Sequence, residues 1–504
     1  MGTTVSLLVI SSISPSQEAF KEVIQARGLQ ADVETVRPQS LPTSWLAYTG
    51  VDIVSINVKT FVDLPEPARQ AIVRWVQTGG HLVFREFEDQ DTEKIGELLS
   101  LDKRIATRTT GTRIMRFPIV DVSMGRVFLV PTRSNRRSSQ RAAWEGVLSG
   151  IGEERVKWSG RHGFIARNVH KQFAEFLIPG VKSVPIYSFL TLITLFTLLI
   201  GPVNYFWLWR KRQLNLLLLT IPILAFITSI SLFGYSAVQH GFGVKSRIRS
   251  LTILDQGTDE AVTYARTAIF AGINPSLSLS FSHNTAVLPV WPTDQTYEQG
   301  ETDWTDTQLM QSGWLRARTR TQFSTINHQT QRGRLTIEKN GSEITVANGL
   351  EWGVRALLVF DKDSNVLTTG DIPAGGEATL NDRRVNKQAQ LDDLSVFREM
   401  MQEFPVEKVE EQNNAIPPEV WEMRDRRRNR WGRRNRVRSA NVDFVTSLME
   451  REMTKYEVLS SSMVGRPGSY VAVLGQNPNI DLGIEGTDEQ NGIHVLVGYY
   501  TKTD

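Results

Sequence analysis

The spacing of apolar and polar residues changes character three times along the chain. Over residues 5–150, short β-branched runs alternate with amphipathic segments. Residues 5–13, 31–36, 51–58, 81–84 and 126–130 read as strands. Residues 15–27 read as a helix with Phe20, Val23 and Ile24 on one face and Gly28 as its stop. Residues 65–78 read as a second helix, opened by Pro65 and closed by Gly79 and Gly80. Such alternation predicts an α/β unit of flavodoxin-like type, a parallel sheet with helices on both faces.

The middle of the chain has no polar face at all. Residues 184–209 and 214–238 carry no charge, and Arg210, Lys211, Arg212 and Gln213 separate them. About 20 apolar residues suffice to cross the hydrocarbon layer. Two such runs in succession predict a transmembrane helical hairpin. Tyr205, Trp207 and Trp209 stand beside the basic turn, where side chains with an apolar body and a polar tip suit the bilayer interface. Gly201, Pro202 and Pro222 predict kinks, which membrane helices tolerate. Residues 164–180 place Phe164, Ile165, Val169, Phe173, Phe176 and Leu177 at amphipathic spacing. This predicts a helix lying on the membrane surface ahead of the first span.

After the hairpin the rhythm becomes that of an antiparallel β-sandwich. Short strands are predicted at 251–254, 262–270, 276–282, 334–338, 343–346 and 354–360, with Gly, Asn and Asp turns between them. Residues 391–404 and 440–456 read as helices. Strands return at 470–474 and 494–500, either to complete the sandwich or to form a small module of their own. The resulting organisation is an α/β domain (1–160), a juxtamembrane segment (161–183), the hairpin (184–238), a β-sandwich-like domain (247–390), a helical segment with a basic loop (391–456) and a terminal β segment (457–504).

Composition narrows the chemistry. The chain has 504 residues and a net charge of +3, so the whole molecule carries no strong bias toward acidic partners. It has no cysteine, which removes disulfides, thiolate metal sites and thiolate nucleophiles. The seven histidines show no metal-ligand spacing. Neither a phosphate-binding glycine loop nor a serine elbow is present, so no nucleotide or other cofactor is expected. Basic residues instead cluster at Arg424, Arg426, Arg427, Arg428, Arg430, Arg433 and Arg434, with Trp431 among them. Anionic lipid headgroups would attract that run, and a neighbouring bilayer favours them over nucleic acid. A solvated basic loop is the alternative.

In a parallel sheet the ligand crevice lies at the carboxyl ends of the strands. That geometry nominates Ser11, Ser12, Asn57, Arg85 and Glu86 as crevice residues, against the alternative of ordinary loop polarity. The acidic loop that follows, Glu86 to Asp91, suits either a cation or plain solvation. Sidedness is contested. The basic turn 210–213 points to the cytoplasm and puts the soluble domains outside. Lys171, Lys182, Lys245, Arg247 and Arg249 argue the other way, as does an N-terminus that does not read as a signal peptide.

Three separated patches resemble a known family. Trp45 to Tyr48, then Val51-Asp52-Ile53-Val54, then Ile72-Val73-Arg74-Trp75-Val76-Gln77-Thr78-Gly79-Gly80-His81-Leu82-Val83 are similar to the class I glutamine amidotransferase-like domain of certain bacterial membrane proteins. Gly201-Pro202-Val203-Asn204-Tyr205, followed by Arg210-Lys211-Arg212, resembles their transmembrane hairpin. The stretches 346–360 and 369–376 resemble the segment after it. The resemblance implies a multi-pass inner-membrane protein with an amidotransferase-like domain. Lacking cysteine, this domain would be degenerate, since that chemistry needs a thiolate. The expected role is a non-enzymatic envelope scaffold or ligand sensor with protein partners. The alternatives are an enzyme using carboxylates or serine in the crevice, and a polyanion-binding module built on the arginine run.

Overall fold

A computed structural model of the protein describes residues 4–12, 17–99, 107–113, 115–131, 137–152, 156–158, 176, 178, 181, 186–240, 243–272, 278–290, 300–311, 313–315, 317–340, 343–361, 366–382, 468–476, 479–490 and 492–500. The N-terminal unit is mixed α/β. In chain order it contains β1 (Thr4–Ile10), α1 (Glu18–Gln25), β2 (Gln30–Val36), β3 (Ile53–Asn57), α2 (Val58–Val62), α3 (Glu66–Gln77), β4 (His81–Phe87), α4 (Thr92–Leu98), β5 (Thr107–Gly111), β6 (Arg116–Val122), β7 (Gly125–Pro131) and α5 (Arg137–Ile151). Its described strands form one sheet in the order β2-β1-β3-β4-β7-β6-β5.

The first five strands of that order run parallel, as the alternation predicts. The last two do not. β6 joins β7 through a two-residue turn with Ser123 at φ 49°, and so short a link permits only antiparallel neighbours. The fully parallel expectation is corrected at that edge. Residue 58, expected to close the third strand, instead opens α2.

Beyond the hairpin, the strands are β8 (Val244–Asp255), β9 (Glu260–Ala271), β10 (Leu279–Phe281), β11 (Thr285–Val290), β12 (Thr302–Asp303), β13 (Gln308–Met310), β14 (Arg320–Thr330), β15 (Leu335–Asn340), β16 (Glu343–Asn348), β17 (Val354–Phe360), β18 (Val366–Ile372), β19 (Glu377–Thr379), β20 (Asn381–Asp382), β21 (Ser469–Leu474), β22 (Thr487–Glu489) and β23 (Ile493–Tyr499). Their centre is one large sheet in the order β11-β14-β9-β8-β23-β21-β17-β18-β20. The terminal strands are integral to it. β23 lies between β8 and β21, parallel to the first and antiparallel to the second. Two three-stranded sheets flank it, β15-β16-β19 and β10-β13-β12. The helices expected at 391–404 and 440–456 lie outside the described residues.

Both faces of the large sheet are buried, which explains its nearly continuous apolar strands. On one face Leu251, Ile253, Val262, Tyr264, Ile326, Val471, Val473, Val495 and Val497 join the core of the α/β unit. On the other, Leu254, Tyr470, Ala472, Leu474 and Leu496 meet Leu335 and Val346 of the small sheet. The expected sandwich is therefore lopsided, with a full sheet on one side and three short strands on part of the other.

The hairpin differs from its expectation in one arm. The first arm is α6 (Ile186–Leu198), a π-helical turn (Leu199–Val203) and α7 (Asn204–Arg210). The ring of Pro202 and its missing N–H interrupt the regular hydrogen-bond ladder there. A short 3-10 turn (Leu214–Leu216) leads into α8 (Leu217–His240). Among the described residues one helix, not two, is long and apolar enough to cross a membrane, and its window Leu214–Ser231 is 0% buried. The arms meet through Asn204, whose Nδ2 donates to Thr220 Oγ1 at 2.9 Å. The turn closes α7 with Arg212 at φ 55°. Gln213 N–H bonds Leu208 O, and Arg212 N–H bonds Trp209 O, a left-handed helix cap. Tyr205, Trp207 and Trp209 are exposed beside Arg210, and Lys211 Nζ lies 4.2 Å from the Trp207 ring centroid.

Of the predicted surface helix 164–180, only Phe176 and Ile178 are described, and both are buried. With Val181 they pack on Ala268 and Phe270 of β9. Gln322 Nε2 donates to Phe176 O at 2.7 Å and Arg320 donates to Val181 O at 3.1 Å. The guanidiniums of Arg247 and Arg266 lie over the Phe176 ring. Those apolar residues thus serve the protein core rather than a membrane face. Arg247 and Arg249, read from sequence as juxtamembrane charges, are buried within β8.

Helix α3 holds the α/β unit and the large sheet together. Ala68, Ala71, Ile72, Val73, Trp75, Val76 and Gln77 are all buried, so more than one side of the helix is covered. At its end Gln77 Nε2 donates to Glu260 Oε2 at 2.7 Å, and His328 Nε2 lies 2.9 Å from Gln77 Oε1. Burial alone would raise the Glu260 carboxyl. The nearness of His328, whose Nε2 lies 3.7 Å from Glu260 Oε2, the hydrogen bond from Gln77 and the charge of Arg74 outweigh it and hold the group below its ordinary 4.5.

Two outcomes follow from this contact. Folding favours ionised Glu260, so its contribution is complete above the unfolded value and is lost as pH falls through the lower folded one. Urea midpoints measured from about pH 6 to 3 should fall less steeply for Glu260→Gln than for the wild type. Gly125 leaves no room for a side chain, because a Cβ there would run into the carbonyls of Val76 and Gly80. Gly125→Ala should cost about 2–3 kcal/mol in chemical unfolding.

Candidate functional site

The order of the parallel strands creates a crevice. From β1 the chain turns outward to β2, and from β3 it turns the opposite way to β4, so connections diverge between β1 and β3. Strand ends at such a divergence leave a gap that no helix covers. Ser11 and Ser12 follow β1 and Asn57 ends β3. Arg85 lies directly opposite Asn57 in the β3–β4 register.

The structure brings three of these five residues into one constellation. Asn57 Nδ2 donates to Glu86 Oε2 at 2.7 Å. Glu86 has φ 58°, a left-handed conformation that costs a side-chain-bearing residue roughly 1 kcal/mol or more. It sits in a bulge, since the β4–β7 register slips by one residue between Phe84 and Phe87. The slip turns Glu86 out of the strand's alternation and toward Asn57. Arg85 is partly buried. Burial pulls its guanidinium below the ordinary value, with the adjacent Glu86 charge opposing that. Two atoms here, Asn57 Oδ1 and Arg85 Nε, are buried without a hydrogen-bond partner among the described residues.

Ser11 extends the β1–β2 pairing through its N–H, which donates to Val36 O at 3.1 Å, and Ser12 is exposed. Both border the crevice at the neighbouring strand end. The acidic loop that follows is organised for another purpose. Phe87 is buried in β4, and Glu88 and Asp91 form a reciprocal capping box around a short 3-10 turn (Asp89–Asp91). No group of carboxylates or histidines suited to a metal occurs among the described residues. The arginine run from Arg424 to Arg434, with Trp431, lies outside the described residues.

Two buried polar chains escaped sequence reasoning. One is the Gln77–Glu260–His328 contact. The other links Ser250 Oγ to His494 Nδ1 at 2.9 Å and His494 Nε2 to Glu489 Oε1 at 2.8 Å. Their members are far apart in sequence, and only strand pairing brings them together. The one local signal was His494 on the inward side of an apolar strand, where a polar group needs a partner.

The Asn57–Glu86 bond should appear as energetic coupling. In a cycle of Asn57→Ala, Glu86→Ala and the double variant, unfolding free energies should miss additivity by about 1 kcal/mol. Glu86→Gly should recover part of the loss by removing the left-handed strain. No protein-family model matches the chain, and no curated protein matches it.

Proposed function

We propose that the protein is a membrane-anchored, non-catalytic component of the bacterial envelope that senses a small polar ligand in its α/β crevice. The observation that carries the reading is the hairpin's uncovered apolar surface. Leu195, Leu218, Leu219, Phe226 and Ile230 are more than half exposed, and none of the spanning window is buried. A monomeric soluble protein rarely leaves so large an apolar patch in water. Lipid is the cheapest cover, and the exposed aromatic residues beside a basic turn suit its interface.

The two-span reading rests on continuity of the first arm. Its three helical pieces follow end to end from 186 to 210, about 37 Å at a helical rise. The Asn204–Thr220 bond satisfies a polar pair inside the apolar layer. Two spans leave both soluble units on one side, outside the cytoplasm if the basic turn faces inward. The flavodoxin-like reading draws on the parallel order β2-β1-β3-β4-β7.

A sensing role draws on the crevice. The lack of cysteine removes thiolate chemistry only. Glu86 stands exposed on a strained bulge near a strand end, tied to Asn57. That arrangement suits recognition better than proton transfer, because the carboxylate is already held by a neutral amide.

Full-length protein in native vesicles should remain in the pellet after alkaline carbonate and after high salt, and should move to the supernatant only with detergent. Release by carbonate alone would sink the membrane reading. Replacing Leu195, Leu218 and Phe226 by Gln should shift the protein toward carbonate release.

A further inference from the structure

We propose that the turn at the tip of the hairpin selects the phosphate of an anionic phospholipid headgroup. The proposal rests on the membrane reading above and adds the chemistry of the lipid that the turn takes. Arg210, Lys211 and Arg212 are the only lysine and arginine residues between Lys182 and Lys245, and all three are exposed. The sequence has no Asp or Glu from Phe176 to Leu254. Among the described residues none of the three cations forms an ion pair. The rest of the molecule is too distant to balance them. The turn stands about 37 Å from Ile186 along the first arm at a helical rise, and salt screens exposed charges beyond about 10 Å. Three unbalanced cations therefore take their counter-charge from outside the chain.

The backbone of the turn is fixed. Arg210 is the last residue of α7, Lys211 continues in the right-handed helical conformation, and Arg212 turns left-handed at φ 55°. The N–H groups of Arg212 and Gln213 donate to Trp209 O and Leu208 O, so the basic side chains leave a closed helix end rather than a loose loop. Lys211 Nζ rests 4.2 Å from the Trp207 ring centroid, held there by cation–π attraction. That leaves Arg210 and Arg212 as two planar forks, each matched to a pair of phosphate oxygens.

The neighbours of the cations favour a lipid source over a dissolved ion. Tyr205, Trp207 and Trp209 are exposed beside them, and such rings settle at headgroup level. Lipid phosphates are already concentrated there, so individually weak contacts suffice. A zwitterionic headgroup brings its own ammonium, which offsets the attraction of its phosphate for the arginines. An anionic headgroup lacks that competitor, and each basic residue near an anionic surface favours it about fivefold.

The chain has no cysteine, so Gln213→Cys carries a single fluorophore at the turn. The labelled full-length protein is reconstituted in vesicles of phosphatidylcholine and phosphatidylglycerol, with one lipid or the other bearing a nitroxide quencher near the top of its acyl chain. Quenching should correspond to about tenfold higher occupancy beside the turn by phosphatidylglycerol at equal mole fraction. Arg210→Gln combined with Arg212→Gln should reduce that preference to about twofold. Arg210→Lys combined with Arg212→Lys keeps the charge without the forks and should retain part of it. Equal quenching by the two lipids, or an undiminished preference in the double Gln variant, overturns the proposal and leaves the membrane reading intact. No quenching by either lipid overturns both. Inorganic phosphate that abolishes the preference, where chloride at the same ionic strength does not, assigns the site to a free ion and overturns the lipid assignment. A preference that persists in phosphate supports it.

Discussion

The burial of α3 between two sheets is the contact on which the rest of the molecule depends. The helix contributes Trp75 and Val76 to a core that runs without a break from β4 and β7 of the α/β unit into β8, β9, β14, β21 and β23 of the large sheet. A helix covered on several sides has no solvent face to lose, so separating the units would expose both sheets at once. The polar contact at its end gives the apolar interface a direction. Gln77 uses its amide N–H on Glu260 and its carbonyl on His328, which fixes how the helix end meets β9 and β14.

The same sheet also gathers both ends of the hairpin. β8 begins shortly after α8, and the chain just before α6 is pinned on β9 and β14 by Phe176, Ile178 and Val181. Arg320 and Gln322 hold that strip by its backbone carbonyls. The hairpin therefore joins the rest of the molecule at two points on one sheet. Within the hairpin, Asn204 and Thr220 supply the directional contact that apolar helices alone lack.

The crevice and the Ser250–His494–Glu489 chain stand on different sheets of this framework. Asn57, Arg85 and Glu86 stand at strand ends of the α/β sheet, and Glu489 stands on the far face of the large sheet. In each a carboxylate is held by a neighbouring side chain, Asn57 in one and His494 in the other. A charge fixed in this way costs less reorganisation when a ligand arrives than one on a free side chain.

Much of the fold was legible in the sequence because it is written in local periodicity. The run 354–360 is strand β17 residue for residue, and the helix and strand order from β1 to β4, apart from the short α2, follows from alternation, prolines and glycines. The uncharged blocks around Arg210, Lys211 and Arg212 marked the hairpin without any structure. What periodicity does not encode is partnership between distant segments. It did not show that β23 would enter between β8 and β21, since an apolar strand fits any buried place in a sheet. It did not show that Phe176 would face β9 rather than lipid, since an amphipathic stripe pairs with either. Strand ends nominated Asn57, Arg85 and Glu86, but the bulge that turns Glu86 toward Asn57 arises from the β4–β7 register. Local sequence determines which face of an element is apolar; only the tertiary structure decides what covers that face, because burial rewards any complementary surface and pairing geometry selects one.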